Sequence, residues 1–65
     1  MAQPYILIPA QGSGQADEWV RLGLEAQTTS RFSDAERHYR QALRLEPHHA
    51  IATQNFAILY AQVNN

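Results

Sequence analysis

The stretch that decides the fold runs from Trp19 to Pro47 and reads WVRLGLEAQTTSRFSDAERHYRQALRLEP. Small and aromatic residues recur in it at helical spacing, since Trp19 is followed by Gly23 and Ala35 by Tyr39. Residues three or four positions apart share one face of an α-helix. The stretch therefore predicts two helices, each with one apolar face, whose small residues allow their backbones to approach closely.

Local signals divide the chain into three predicted helices, over residues 16–29, 33–46 and 49–63. A run of Thr and Ser, which are poor helix formers, ends the first helix. Ser33 followed by Glu36 has the spacing of a capping box, which predicts the start of the second helix. The proline that closes the quoted stretch ends the second helix, because the residue before a proline avoids helical geometry.

Residues 1–15 differ in composition from the rest of the chain. They contain Pro4, Pro9, Gly12, Ser13 and Gly14. Pro and Gly at this density are typical of loops and linkers. We therefore expect a flexible, irregular N-terminal arm before a helical domain that spans residues 16–65.

Several residues of the quoted stretch resemble the tetratricopeptide repeat (TPR), a helical hairpin of about 34 residues with the pattern W-x2-L-G-x2-Y, A-x3-F and P. The matching residues are Trp19, Leu22, Gly23, Ala35, Tyr39, Ala42 and Pro47. The resemblance implies an all-α fold, with an antiparallel helical hairpin as the first unit of a right-handed helical repeat.

A partial second copy of the pattern follows the first. Ala57 lies one full repeat length after Gly23, and Tyr60 lies one full repeat length after Ala26, at a position where the repeat carries an aromatic residue. The resemblance thus covers residues 16–65, or about one and a half repeats. It implies a TPR-like hairpin followed by a third helix.

One departure from the family pattern lies in the turn between the first two helices. Ser30 stands where the family often has Gly. Helices commonly end on a residue in the left-handed conformation, which is usually Gly because it has no Cβ atom. We expect a left-handed turn at Ser30 to cost more than the same turn at a glycine.

The resemblance also implies a function: the first helix of each pair lines a concave groove that binds a protein or peptide partner. The residues at groove-facing positions are Val20, Leu24, Gln27, Ile51, Gln54, Asn55 and Ile58. The apolar members of this set are equally suited to packing inside the hairpin or against a further helix. A clamp for a peptide carboxylate is not expected, because Val20 and Leu24 occupy places where that clamp needs Lys and Asn.

The predicted third helix is apolar around much of its circumference, from Ile51 to Val63. A helix that ends a repeat array has a polar outer face. We therefore expect this helix to be covered, either by further TPR helices of a longer chain or by a second copy in a homodimer.

Composition argues against several classes of partner. The chain has 65 residues, a formal net charge of -1, five Arg, no Lys and no Cys. A nucleic-acid-binding domain would show a clustered basic face, and a membrane-spanning helix would need about 20 apolar residues. We expect a cytoplasmic protein that binds neither nucleic acid nor membrane.

No residue pattern predicts chemistry. His48 and His49 are adjacent in a loop, where we expect both to be exposed, and a metal site would need three or four converging ligands. We expect no catalytic residues, no cofactor and no metal, and hence no enzyme activity. Two alternatives to a binding adaptor stay open: a regulatory or substrate-recruiting segment of a larger bacterial enzyme such as a transferase, and a self-associating oligomerisation module.

Overall fold

A computed structural model describes the backbone of residues 7–64 and the side chains of residues 14–64. Within this part, the chain forms three α-helices and no strand. The helices are α1 (Leu7–Thr28), α2 (Phe32–Leu45) and α3 (Ala50–Asn64). The all-α prediction is confirmed, and α2 and α3 begin and end within one residue of their predicted bounds.

The first helix is longer than the sequence indicated. It begins at Leu7, so the prediction of an irregular arm over residues 1–15 is wrong from that residue onward. Pro9 lies in the first turn, where backbone amides have no intrahelical partner and a missing N–H costs little. Gly12 and Gly14 each cost about 1 kcal/mol relative to alanine without ending the helix. The first six residues lie outside the described part of the chain.

Close packing of α1 on α2 forms the centre of the core. Tyr39 is fully buried, and its ring lies directly over Gly23. A Cβ atom at Gly23 would come within 2.5 Å of Cε1 of Tyr39. Ala35 and Ala42 are also fully buried on the same side of α2. The predicted close approach of the two helices is confirmed at these residues.

The turn after α1 satisfies the free carbonyl groups at the helix end. The Arg31 N–H donates to the Ala26 carbonyl at 2.8 Å, and the Ser30 N–H donates to the Gln27 carbonyl at 3.1 Å. This pair of bonds is a Schellman motif. Ser30 takes the left-handed position with a φ of 64°. Ser30 thus adopts the conformation that we expect to cost more for serine than for glycine.

The predicted capping box at the start of α2 is wrong. The helix begins at Phe32, one residue earlier, and its N-cap residue Arg31 makes no side-chain capping bond. Ser33 is thus already inside the helix. The Glu36 carboxylate instead accepts a hydrogen bond from the Arg40 guanidinium at 2.8 Å.

A chain of side-chain hydrogen bonds joins all three helices. The Tyr39 hydroxyl on α2 donates to Oε1 of Gln27 on α1 at 2.7 Å. Nε2 of Gln27 donates to Oε1 of Gln62 on α3, also at 2.7 Å. Ala52 and Leu59 bury the inner side of α3. Gln27 therefore connects the hairpin to α3 as well as connecting its two helices.

His49 connects the start of α3 to α1. Its Nε2 lies 2.5 Å from Oδ1 of Asp17, and its Nδ1 accepts a hydrogen bond from the Ala52 N–H at 3.1 Å. The Asp17 contact lies earlier in both helices than the contact between Gln27 and Gln62. Helices α1 and α3 therefore run side by side in the same direction.

Candidate partner-binding surfaces

The predicted groove residues lie in different environments. Val20 is only 6% exposed and belongs to the core, so its assignment to a binding surface is incorrect. Packing inside the hairpin, the alternative that the sequence left open, applies to this residue. Periodicity could not separate the two, since Val20 lies on the edge of the apolar face of α1.

Three other apolar residues of the predicted groove are exposed. Leu24 on α1 is 41% exposed, and Ile51 and Ile58 on α3 are 55% and 48% exposed. Ile51 and Ile58 are two helical turns apart and share one side of α3. We name the surface formed by Leu24, Ile51, Gln54, Asn55 and Ile58 the α1–α3 face.

The polar residues of the predicted groove differ in whether their side-chain amides are available to bind a ligand. Gln54 is exposed and Asn55 is half-buried, and neither makes a side-chain hydrogen bond within the described residues. Both ends of the Gln27 amide are occupied, by Tyr39 and Gln62. Gln54 and Asn55 can therefore donate to and accept from a ligand, whereas Gln27 has a structural role.

A second apolar surface lies on the outer side of α3. A groove of about 560 Å³ is lined there by Arg40, Leu43, Thr53, Phe56, Ala57, Tyr60 and Ala61. We name it the end groove. The sequence predicted an uncovered apolar side of α3, but it did not single out these residues as a site. The signal was the repeat spacing that places Ala57 and Tyr60 in register with Gly23 and Ala26.

Aromatic contacts shape one wall of the end groove. The rings of Phe56 and Tyr60 meet edge to face with centroids 6.4 Å apart. The Arg40 guanidinium lies 5.6 Å from the centre of the Phe56 ring, in a cation–π arrangement. Tyr60 is 63% exposed. The wall thus offers a large, partly fixed aromatic surface to an incoming group.

Charge is distributed unevenly over the chain. All Arg, Asp and Glu residues lie between Asp17 and Glu46, and α3 has none. The end groove includes the single charged residue Arg40, whose guanidinium already contacts Glu36 and Phe56. Both candidate surfaces are therefore suited to uncharged ligand groups.

The histidines of the loop before α3 are not equivalent. His48 is exposed, as expected, but His49 is only 8% exposed, so the expectation of an exposed side chain is wrong for it. Nδ1 of His49 accepts a hydrogen bond, so this nitrogen has no proton, and Nε2–H donates to Asp17. His49 thus caps α3 and holds it against α1. The sequence could not show this, because Asp17 is distant along the chain.

Residues 14–64 contain no cluster of three or more His, Cys, Asp or Glu side chains that could hold a metal ion. None of the helices described for this chain is both long enough and apolar enough to cross a bilayer.

Two environments change the ionisation of side chains. Burial raises the pKa of the Tyr39 hydroxyl. At the surface, a hydrogen bond from Arg21 and its positive charge lower the pKa of Glu18, and the same pairing raises the pKa of Arg21. Neither change lies on the α1–α3 face or in the end groove, so neither indicates acid–base chemistry at these surfaces.

Comparison with known proteins found no matching family model, no matching curated protein and no matching solved structure.

Proposed function

We propose that this chain is a TPR-like protein-interaction module that binds a short peptide or helix of a partner through the α1–α3 face. One observation supports this most directly: Leu24, Ile51 and Ile58 are 41%, 55% and 48% exposed on adjacent helices. Exposed apolar residues grouped on one side of a small protein are typical of an interaction site.

The chemistry of the α1–α3 face favours an uncharged ligand with aliphatic or aromatic side chains. Leu24, Ile51 and Ile58 offer alkyl surface that gains free energy when it is removed from water. The Gln54 and Asn55 side chains lie beside them and can each donate and accept hydrogen bonds. Such amides can pair with the backbone of a bound peptide, whose polar groups would otherwise be buried without partners.

Side-chain contacts link the two helices at both ends of this face. The Asp17–His49 contact holds the earlier part, and the Gln27–Gln62 hydrogen bond holds the later part. A surface held in place before binding loses less conformational entropy when the ligand arrives. This preorganisation supports a role in recognition for a domain as small as this one.

Selection from a random peptide library tests the proposal. We expect the chain to enrich peptides rich in aliphatic and aromatic residues, with dissociation constants of the order of 10–100 μM for short ligands. Substitution Ile58→Asp places a charge in the apolar surface and should weaken binding at least tenfold, measured by fluorescence anisotropy.

Leu45→Asp is the matched control, because Leu45 is 42% exposed at the end of α2, away from this face. Both substitutions should change the free energy of unfolding by only about 0.5 kcal/mol. Enriched peptides that bind both variants as tightly as the unmodified chain would refute the assignment of the site.

A further inference from the structure

The repeat spacing allows the end groove on α3 to be compared with a covered surface of α1. In α1, Gly23 and Ala26 are buried, and α2 covers Gly23 with the Tyr39 ring. In α3, the corresponding Ala57 is exposed and Tyr60 is 63% exposed. The side of α3 that forms the end groove therefore corresponds to the side of α1 that α2 covers.

We propose that the end groove binds α3 of a second copy of this chain, so that two molecules form a symmetric dimer with their α3 helices antiparallel. The same surface of each molecule then contacts its own equivalent, as a two-fold interface requires. This surface is separate from the α1–α3 face, so the proposal does not depend on the proposed peptide site.

Charge favours a second copy over a charged partner. Helix α3 has no Arg, Asp or Glu, so two copies meet without like-charge repulsion. A partner helix with charged residues on its contact surface would lose their hydration without finding opposite charges in the groove. Arg40, the one charged residue there, already has Glu36 and the Phe56 ring as partners.

The shape of the groove is complementary to α3 itself. Ala57 and Ala61 are one helical turn apart and both exposed, so they form a small-residue strip that lets a second helix approach closely. Large side chains flank this strip, with Tyr60 on α3 and Leu43 on α2. In an antiparallel pair, Ala57 of one copy lies opposite Ala61 of the other, and each Tyr60 enters the other groove beside Leu43.

The interface is small, so the dimer should be weak. Stable protein complexes bury about 800 Å² on each partner, and one helix side with part of α2 provides less than this. We expect half of the chains to be paired at a concentration of the order of 100 μM. Concentration is therefore the main variable of the experiment.

Sedimentation velocity between about 10 μM and 1 mM tests the proposal. The average mass should rise from 7.4 kDa for the single chain towards twice that value. Ala57→Glu, which buries an unpaired charge against the small-residue strip of the second molecule, should raise the dimer dissociation constant at least tenfold. Ile58→Glu is the matched control: it adds the same charge to the next residue of α3, on the other face, and should leave the constant unchanged.

Two results would overturn the proposal: a chain that stays monomeric at the highest concentration, and equal effects of Ala57→Glu and Ile58→Glu. A measurement on the unmodified chain tests the proposal even if the variants do not fold. NMR amide shifts of the unmodified chain should depend on concentration at Leu43, Ala57 and Ala61, and stay constant at Leu24. Shifts confined to the α1–α3 face would also exclude the end groove as the dimer contact.

Discussion

The α1–α2 hairpin and α3 carry related residues in opposite environments. Gly23 lies beneath the buried ring of Tyr39, whereas Ala57, 34 residues further along the chain, is exposed. Ala26 is 1% exposed, whereas Tyr60 at the corresponding place is 63% exposed. The difference is the presence of a covering helix, so positions with the same spacing along the chain are core in one region and surface in the other.

The two regions also differ in their solvent-facing residues. Helix α2 carries charged residues on its outer side, including the ion pairs Arg37–Asp34 and Arg40–Glu36. Helix α3 has none, and its exposed residues include Ile51. A helix with one charged side and one apolar side is stable at a protein surface, whereas a helix that exposes apolar residues on several sides is typical of an element that packs against a further partner. We therefore expect the hairpin to carry most of the stability and α3 to carry most of the binding.

The largest expected effect is at the closest contact of the hairpin. Gly23→Ala should lower the free energy of unfolding by about 2 kcal/mol or more, because the new Cβ atom overlaps the fully buried Tyr39 ring. Alanine gains about 1 kcal/mol of helix propensity, which offsets only part of this loss. Urea unfolding followed by circular dichroism measures the change.

The corresponding position in α3 provides the comparison. Ala57→Ser at low protein concentration should cost only about 0.5 kcal/mol, the difference in helix propensity, because Ala57 is exposed. Similar losses for the two variants would show that α3 is covered as well as α1, and the contrast between the regions would fail.

Removal of the side chain that attaches α3 to α1 should give the next largest loss in the free energy of unfolding. His49→Ala removes the cap on the Ala52 amide and the contact with Asp17, which should cost about 1–2 kcal/mol. The loss should concentrate in α3, so its amide protons should exchange faster than those of α2.

His48→Ala is the natural control for this substitution, since His48 is the exposed neighbour of His49. It should leave stability and exchange unchanged. His49→Asn should recover part of the loss, because asparagine is a favourable N-cap residue. Equal exchange in α2 and α3 after His49→Ala would argue that His49 does not anchor α3.

A smaller effect is expected at the hydrogen bond that joins the regions. Tyr39→Phe removes the donor to Gln27 and should cost about 1 kcal/mol. Burial raises the pKa of Tyr39 in the folded state, so its neutral form is favoured there. Full stability is therefore present below the ordinary tyrosine pKa of about 10 and is lost as pH rises towards the raised folded value.

Unfolding measured between pH 8 and 11 separates this contribution. The phenylalanine variant should lose less stability over this interval than the unmodified chain. Tyr60→Phe is the control, since Tyr60 is exposed and its loss should leave the alkaline decline in place. An unchanged decline in the Tyr39 variant would exclude the buried hydroxyl as its cause.

The smallest effect is at the turn inside the hairpin. Ser30→Gly should raise the free energy of unfolding by about 0.5 kcal/mol, because glycine adopts the observed φ of 64° without a Cβ clash. Thermal unfolding measures the gain. Ser33→Gly, inside α2, should have the opposite sign, since glycine is a poor helix former.

The hairpin could be predicted from the sequence because its determinants are close along the chain. The small residue Gly23 and the large residue Tyr39 lie on opposite sides of a short turn, and helical periodicity places both on the facing sides. The bounds of α2 and α3 agree with the prediction to within one residue, although the capping box that indicated the start of α2 is absent.

The remaining features depend on context that local patterns do not contain. Pro9 and two glycines predict a loop where α1 has already begun at Leu7, although a proline in the first turn of a helix costs little. The burial of His49 does not follow from its place in a loop, because its partner Asp17 belongs to another helix. The family pattern places Val20 on the binding surface, whereas three-dimensional packing places it in the core.

The arrangement of ion pairs has a consequence for ionic strength. Each Arg–carboxylate pair in the described residues joins side chains three or four positions apart along the chain. Among residues 14–64, only the Asp17–His49 contact is an ion-pair contact between different segments. Added salt should therefore slightly weaken the ion pairs within individual helices, because exposed ion pairs are screened. It should not separate the helices, because apolar contacts are not screened. A salting-out anion such as sulfate should instead strengthen the proposed dimer contact on α3, because it favours burial of apolar surface.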